Sequence, residues 1–165
     1  MKTDTPQTIY LKDYAAPAYL IDSVELDIRI ENGGTTVSAT LAMRRNPAVA
    51  AQALVLDGED LETLSVAVDA KNVPFLATAS TLTVEGLPAQ FTLQTVVRID
   101  PDKNTRLSGL YRSADGYFTQ CEAQGFRRIT WFLDRPDVMS TYTVTLHADK
   151  EALPILLANG NPVAR

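Results

Sequence analysis

The stretch Val24–Met43, VELDIRIENGGTTVSATLAM, decides the fold class. Apolar side chains occupy every second position on both sides of a central polar segment, namely Val24, Leu26, Ile28 and Ile30, then Val37, Ala39, Leu41 and Met43. Successive side chains of a strand point to opposite faces, so this alternation predicts two half-buried strands. Between them, Glu31-Asn32-Gly33-Gly34 predicts a turn, because Asn and Gly tolerate positive φ. The stretch therefore predicts a β-hairpin.

The same pattern recurs along the chain and predicts further short strands. They are Ala53–Leu56, the run with Leu64, Val66 and Val68, the pair Leu82 and Val84, the run from Phe91 to Ile99, and the run from Tyr142 to Ala148. The apolar run Leu153–Leu157 contains Pro154, which cannot donate to a ladder, so we expect an edge strand there. Many short strands separated by turn residues predict an all-β fold, an antiparallel β-sandwich.

The length and composition fit one soluble globular domain over residues 1–165. The hydrophobic share is 45% and the charged share 21%. The net charge of -5 argues against a nucleic-acid partner, and no apolar stretch is long enough for a membrane span. We expect no secretory signal, because no continuous apolar segment follows Lys2. With Cys121 as the only cysteine, no internal disulfide can form, which favours the cytoplasm.

Few residues have the types and spacing that catalysis requires. His147 is the only histidine and no HExxH motif is present, so we expect a solvent-facing strand residue and no metal ligand. Cys121 has no partnered base and is interpreted as a buried structural thiol. The acidic run Asp57, Glu59, Asp60 and Glu62 lacks the spacing of a calcium loop and predicts a solvated turn. We therefore expect no catalytic or metal-binding residue in this chain.

The segment Phe118–Ser140, FTQCEAQGFRRITWFLDRPDVMS, interrupts the alternation and is the candidate functional loop. In an extended segment Gln120 and Glu122 point the same way and present an amide beside a carboxylate. This pair suits a ligand ammonium. Alternatively, Glu122 pairs with Arg127 or Arg128 and only ties down the loop. Spacing alone favours this internal ion pair.

The same loop resembles the amino-terminal domain of the bacterial aminopeptidase N family. The resemblance rests on the segments Thr119-Gln120-Cys121-Glu122-Ala123, Gly125-Phe126-Arg127 and Asp134-Arg135-Pro136-Asp137, and on weaker matches at Lys12–Tyr14, Leu56–Leu61, Gly109–Tyr111, Ala148–Lys150 and Leu157–Asn161. It implies a saddle-shaped all-β domain that packs on a thermolysin-like zinc catalytic domain. Gln120 would line the pocket for the first substrate side chain, and Glu122 would bind the free α-amine of a peptide substrate. Related leukotriene A4 hydrolases carry Gln at the position of Glu122, so Glu122 favours the aminopeptidase branch.

The residues that the family uses for zinc binding and turnover are absent from this sequence. The HExxH motif, its distal glutamate, the GAMEN-type loop and the catalytic tyrosine would belong to the missing catalytic domain. The chain stops at Ala164-Arg165 just after a turn, where another strand is expected. We therefore expect a β-domain truncated before its last strands, inactive alone, in a parent protein that removes the N-terminal residue from peptides.

Two other functions remain open at this point. A stand-alone β-sandwich module that binds protein or carbohydrate would need a contiguous exposed aromatic patch. Five aromatic residues are the candidates for it: Tyr111, Tyr117, Phe118, Trp131 and Phe132. In the enzyme interpretation the same residues belong to the core or to a domain interface. A purely structural domain would leave the pair Gln120 and Glu122 unexplained.

Overall fold

The computed structural model describes residues 8, 10–31 and 33–163, and its regular structure is almost entirely β. Two single-turn 3-10 helices are present, at Leu11–Asp13 and Phe126–Arg128. The strands are β1 (Tyr19–Glu31), β2 (Gly34–Arg45), β3 (Leu54–Asp57), β4 (Glu62–Val68), β5 (Lys71–Asn72), β6 (Leu76–Ala77), β7 (Thr81–Val84), β8 (Gln90–Ile99), β9 (Gly109–Ser113), β10 (Gly116–Gln120) and β11 (Thr141–His147).

The predicted hairpin is confirmed as the pair β1 and β2. The two strands are antiparallel and in register from Tyr19 opposite Arg45 to Glu31 opposite Gly34, with one bulge near Asp22. Gly33 adopts φ +87°, as the predicted turn requires. Asn32 lies outside the described residues, as do residues 1–7, 9, 164 and 165, which include Lys2 and the chain end Ala164-Arg165.

The described residues form three sheets. The largest has six strands in the order β11-β1-β2-β8-β4-β5, a second has three in the order β3-β7-β6, and β9 and β10 form a separate hairpin. Inward side chains of the two larger sheets form one hydrophobic cluster. It joins Val37, Leu41 and Leu93 of the large sheet to Leu56 and Leu82 of the small one. The all-β fold class is therefore confirmed.

One pairing departs from the predicted antiparallel arrangement. Strand β11 runs parallel to β1, with Ser23 opposite Thr141 and Arg29 opposite His147. The chain between β1 and β11 contains the rest of the fold, which is long enough for the crossover that a parallel pair needs. Alternation within a strand predicts its faces but carries no information about its direction.

Two strand predictions were wrong in detail. Leu64 was placed in phase with Val66 and Val68, but a bulge between Thr63 and Ser65 turns its side chain outward, where it is 52% exposed. The segment Leu153–Leu157 is not a strand in the structure. Its side chains Ile155, Leu156 and Leu157 are exposed, so the apolar run reflected no core face within the described residues.

The irregular segment after β10 is fastened to the edge of the small sheet. Phe132 exchanges both backbone hydrogen bonds with Asp57 at the end of β3, at 2.8 and 3.1 Å. The neighbouring Trp131 is buried and donates from Nε1 to Thr63 Oγ1 at 2.9 Å. These contacts fix the middle of the irregular segment. Its first residues follow directly after the hairpin formed by β9 and β10. No helix in the described part of the chain is long and apolar enough to cross a membrane.

Candidate functional site: the loop carrying Gln120 and Glu122

Gln120 is the last residue of β10 and lies opposite Gly109 in the hairpin. Gln120 and Glu122 are exposed, whereas Cys121 between them is partly buried against the core. Both polar side chains are exposed and the thiol is partly buried, but Glu122 lies in a turn, so the extended geometry that the spacing assumed holds only as far as Gln120. The amide Nε2 of Gln120 lies 3.4 Å from the backbone oxygen of Glu122. This long hydrogen bond joins the Gln120 side chain to the backbone of Glu122.

Gly125 fixes the bend that follows Glu122. Its backbone N–H donates to the Cys121 carbonyl at 2.7 Å and closes the turn. A Cβ at Gly125 would lie 2.5 Å from the Gln120 oxygen, 2.8 Å from Ser108 Oγ and 2.9 Å from Cys121 Cα. Only glycine fits this position without displacing the backbone that carries the two polar residues. The glycine requirement is therefore steric, because φ is an ordinary -97°.

Arg127 is fully engaged by two aspartates. Its Nε donates to Asp134 Oδ2 at 2.9 Å, and its Nη2 donates to the Asp134 carbonyl at 3.0 Å. The same carboxylate accepts the Arg127 backbone N–H at 3.1 Å, and Asp57 Oδ2 lies 3.7 Å from Nη2. Arg127 and Asp134 are both largely buried, so screening by water is weak. The network binds the second 3-10 helix to the end of β3.

Arg128 is engaged by the acidic turn between β3 and β4. Its guanidinium contacts the Glu59 carboxylate through Nη2 and Asp60 Oδ2 through Nη1, the latter at 2.5 Å. The backbone N–H of Glu59 also donates to the Arg127 carbonyl at 2.9 Å. The acidic run lies between two strands, as predicted, but Asp57, Glu59 and Asp60 are ion-paired and do not form a merely solvated turn.

The internal ion pair proposed for Glu122 is not formed. Arg127 and Arg128 both bind other carboxylates, and within residues 8, 10–31 and 33–163 no basic side chain lies within 4.0 Å of the Glu122 carboxylate. The prediction from spacing alone was therefore wrong. It failed because sequence proximity to the arginines says nothing about the acids that the fold brings from β3 and the following turn.

Aromatic side chains of the loop pack against each other and against Tyr142 of β11. Phe126 packs edge-on against Phe132 at 4.8 Å and against Tyr142 at 6.1 Å between ring centroids. Cys121 packs against this core, and burial, with a smaller contribution from the Asp134 charge, raises the pKa of its thiol. A raised pKa keeps the thiol protonated and poorly reactive. The interpretation of Cys121 as a structural thiol agrees with this environment.

His147 lies at the end of β11 and is half-exposed. Its Nε2 is 2.9 Å from Asp27 Oδ2 across the parallel pair, so it is a surface residue with one cross-strand partner. In the described part of the chain, no group of three or more His, Cys, Asp or Glu side chains could hold a metal ion. The residues present do not fit a zinc site.

The five candidate aromatic residues do not form a contiguous exposed patch. Trp131 and Phe132 belong to the core, and only Phe118 of the five candidates is strongly exposed. Tyr111 packs beside Phe118 at 6.1 Å between ring centroids. A carbohydrate-binding or protein-binding module would need a contiguous exposed aromatic surface. Of the candidates, only Phe118 and the partly buried Tyr111 beside it could contribute to one.

Sequence reasoning missed the acids that bind the two arginines. Arg128 lies 69 residues from Glu59 and 68 from Asp60 along the chain, and no local spacing links them. The usable signal was an excess of acidic side chains at the turn after β3, matched by two adjacent arginines in the irregular segment after β10. That signal suggests an ion pair but does not assign partners.

Residues 19–165 match the peptidase M1 N-terminal domain, so the chain belongs to that family. It is similar to aminopeptidase N of Caulobacter vibrioides, with 44% identity over 99% of this chain and 19% of the relative's length. The chain thus spans about a fifth of the curated relatives that it matches.

Two solved structures share the fold. The aminopeptidase A of Legionella pneumophila, solved in complex with aspartic acid, has a TM-score of 0.86 at 30% identity and covers 91% of this chain and 18% of its own. The M1 zinc metallopeptidase of Deinococcus radiodurans has a TM-score of 0.65 at 18% identity, over 78% of this chain and 32% of its own. The second likeness concerns the fold alone.

Proposed function

We propose that this domain belongs to a zinc aminopeptidase and binds the α-ammonium of a peptide substrate through Glu122. The observation that carries the proposal is an exposed carboxylate at the end of a braced hairpin, with no cation paired to it among the described residues. The similarity to aminopeptidase N over 99% of the chain supports the parent activity.

The chemistry of a chain end suits this arrangement. A peptide N-terminus carries an ammonium, whereas an internal residue offers only a neutral amide. A carboxylate enclosed at the active site pairs with the first and is left unpaired by the second. Breaking such a pair costs about 2–5 kcal/mol, which is enough to discriminate an end from a middle. The same ion pair would fix the position of the first peptide bond.

Gln120 is proposed to line the pocket for the first side chain. It is exposed at the end of β10, and its Nε2 lies 3.4 Å from the Glu122 backbone oxygen. A side chain next to the ammonium site contacts whatever group the substrate carries on its first Cα. An amide can both donate and accept hydrogen bonds. Gln120 would therefore tolerate a neutral or a polar side chain on the first residue of the substrate.

The zinc site is proposed to lie outside this chain. The described residues do not fit a zinc site, and the solved relative from Deinococcus radiodurans is named a zinc metallopeptidase. We therefore propose that this domain packs on a catalytic domain that supplies the metal, and that the chain alone does not turn over substrate. The cytoplasm remains the predicted location.

Steady-state kinetics of the full-length protein test the proposal. Glu122→Ala should raise KM sharply for amino-acid amides with a free α-amine, and lower kcat as well, because the scissile bond loses its anchor. The control is Glu25→Ala, which removes an exposed carboxylate from β1. An unchanged kcat/KM for Glu122→Ala would remove Glu122 from this role.

Side-chain preference tests Gln120 separately. Substitutions at Gln120 should change the ranking of amides with different first residues more than they change the rate on the best substrate. The measurement is a kcat/KM profile across a panel of amino-acid amides. An identical ranking in Gln120→Ala and in the unmodified protein would argue against contact between Gln120 and the first side chain.

A further inference from the structure

The side chain of Arg128 leaves the backbone beside β9, next to the end of β10, but its guanidinium points away from Glu122 toward the turn after β3. A Cβ at Gly109 would lie 2.5 Å from Arg128 Cβ, and Gly109 is the strand partner of Gln120. The stem of Arg128 therefore packs against the base of the loop. Its guanidinium instead meets Glu59 and Asp60 on the turn after β3.

The environment of Arg128 makes this orientation firm. Its side chain is only 9% exposed, so its charge needs compensation by a carboxylate. Glu59 and Asp60 supply two, and Asp60 is itself 75% exposed and does not need the pair for its own solvation. The backbone hydrogen bond from Glu59 to the Arg127 carbonyl holds the turn against the 3-10 helix. The ion pair therefore matters more for the buried guanidinium of Arg128 than for the exposed carboxylate of Asp60.

Arg127 is not free to replace it. Its guanidinium is held by the Asp134 carboxylate and carbonyl and lies within 4 Å of Asp57. Arg128, in contrast, is paired within the described chain only with carboxylates of the acidic turn, Glu59 and Asp60. Without the two carboxylates of that turn, its stem would still hold it beside Gln120, and Glu122, two residues further along the chain, carries a carboxylate with no cation partner among the described residues.

Resting on the proposed function, we propose that Glu59 and Asp60 are positioning residues that keep Arg128 away from Glu122. A guanidinium paired with Glu122 would compete with the substrate ammonium for the same carboxylate. By holding Arg128, the acidic turn keeps Glu122 uncompensated in the free protein and available to the substrate. This role concerns substrate affinity and is distinct from simple stabilisation of the fold.

The first arm of the test is the double variant Glu59→Gln/Asp60→Asn in the full-length protein. It keeps the shape of both side chains and removes their charges. KM for amino-acid amides should rise about fivefold, the size expected for one partly exposed charge pair, with a smaller change in kcat. The control is Asp22→Asn, which removes a carboxylate from the exposed pair with Arg44 and should leave KM unchanged.

The second arm separates charge competition from a structural effect. Adding Arg128→Gln to the double variant should restore KM, because no cation remains to compete. In a Glu122→Gln background, the double variant should have no further effect on kcat/KM. Thermal unfolding of each variant checks that it folds, and the Glu122→Gln background decides the question if the triple variant does not.

The possible outcomes distinguish failure of the positioning role from failure of the proposed function. An unchanged KM in the double variant, or a rise that persists in the Glu122→Gln background, overturns the positioning role. If Glu122→Gln itself leaves kcat/KM unchanged, the proposed function fails and the positioning role fails with it. A loss of kcat/KM in Glu122→Gln with no effect of the double variant leaves the proposed function intact and rejects only the inference about Glu59 and Asp60.

Discussion

The indole ring of Trp131 lies directly against Gly58, with no room for a side-chain carbon between them. Gly58 follows β3, and Trp131 lies in the loop that carries Glu122, so this contact joins the small sheet to the candidate site. Trp131 is 2% exposed, and its Nε1 donates to Thr63 at the start of β4. One side chain therefore fixes the distance between the loop, β3 and β4.

Gly58→Ala should destabilise the domain by about 1–3 kcal/mol, because the added methyl overlaps the Trp131 ring. Thermal unfolding of the chain measures the effect as a fall in Tm. Gly116→Ala is the matched control, since its new methyl would meet only the exposed Phe118 ring at 3.2 Å. Equal Tm values for the two variants would show that the Trp131 contact is not tight.

Thr63→Val should also destabilise the domain, by about 1–3 kcal/mol, because the buried indole N–H loses its acceptor. The substitution keeps the size and branching of the side chain, so packing changes little. Thr83→Val on the partly exposed face of β7 is the control. The prediction fails if urea unfolding gives the same free energy of unfolding for Thr63→Val as for the control.

Local alternation was enough to predict the hairpin and the long strand β8. Phe91, Leu93, Val97 and Ile99 all point into the core, as their spacing indicates. The pattern works there because each strand has one buried face. It failed at Leu64, where a bulge changes the phase, and around Pro154, where an apolar run is exposed. Neither a bulge nor an uncovered apolar run has a signature in the apolar spacing.

The candidate site was only half predictable. Gln120 and Glu122 are both exposed, but Glu122 lies in a turn and not in the extended segment that the spacing assumed. The pairing of Arg128 with Glu59 and Asp60 depends on where β3 lies relative to the loop, which is a long-range property of the sheet order. The expectation that Glu122 pairs with a nearby arginine was wrong for the same reason.

Gly125→Ala should lower kcat/KM of the full-length protein more than it lowers stability. The new Cβ would displace the Gln120 carbonyl and the Cys121 backbone, and so would shift both polar side chains. A displacement of about 1 Å is enough for a loss of roughly 100-fold. The measurement compares kcat/KM with Tm for this variant and for Gly116→Ala. A kcat/KM equal to that of Gly116→Ala would contradict the close packing at Gly125.

Acid should remove stability that depends on Asp137. Two hydrogen bonds from Arg135 at 2.6 Å, and one from the Tyr14 hydroxyl at 2.9 Å, lower the pKa of Asp137 below its ordinary value. A carboxyl with a lowered folded pKa contributes stability above its unfolded pKa, and this contribution is lost as pH falls through the folded pKa. The Tm difference between the unmodified chain and Asp137→Asn should therefore be larger at about pH 6 than at about pH 3.

Asp115→Asn is the control for this pH dependence. Asp115 is exposed, and among the described residues its side chain forms no ion pair. Its Tm difference should be small at both pH values. A pH-independent difference for Asp137→Asn would show that the contacts with Arg135 and Tyr14 do not favour the ionised carboxylate.

The proposed role of Glu122 is to bind the α-ammonium of the substrate. A crystal structure of the full-length protein with a bound amino acid measures this contact directly. We predict an oxygen of the Glu122 carboxylate at about 2.7–3.2 Å from the amino nitrogen, with Arg128 still held by Glu59 and Asp60. An amino nitrogen bound by other groups, with Glu122 paired to Arg128 or left in solvent, would contradict it.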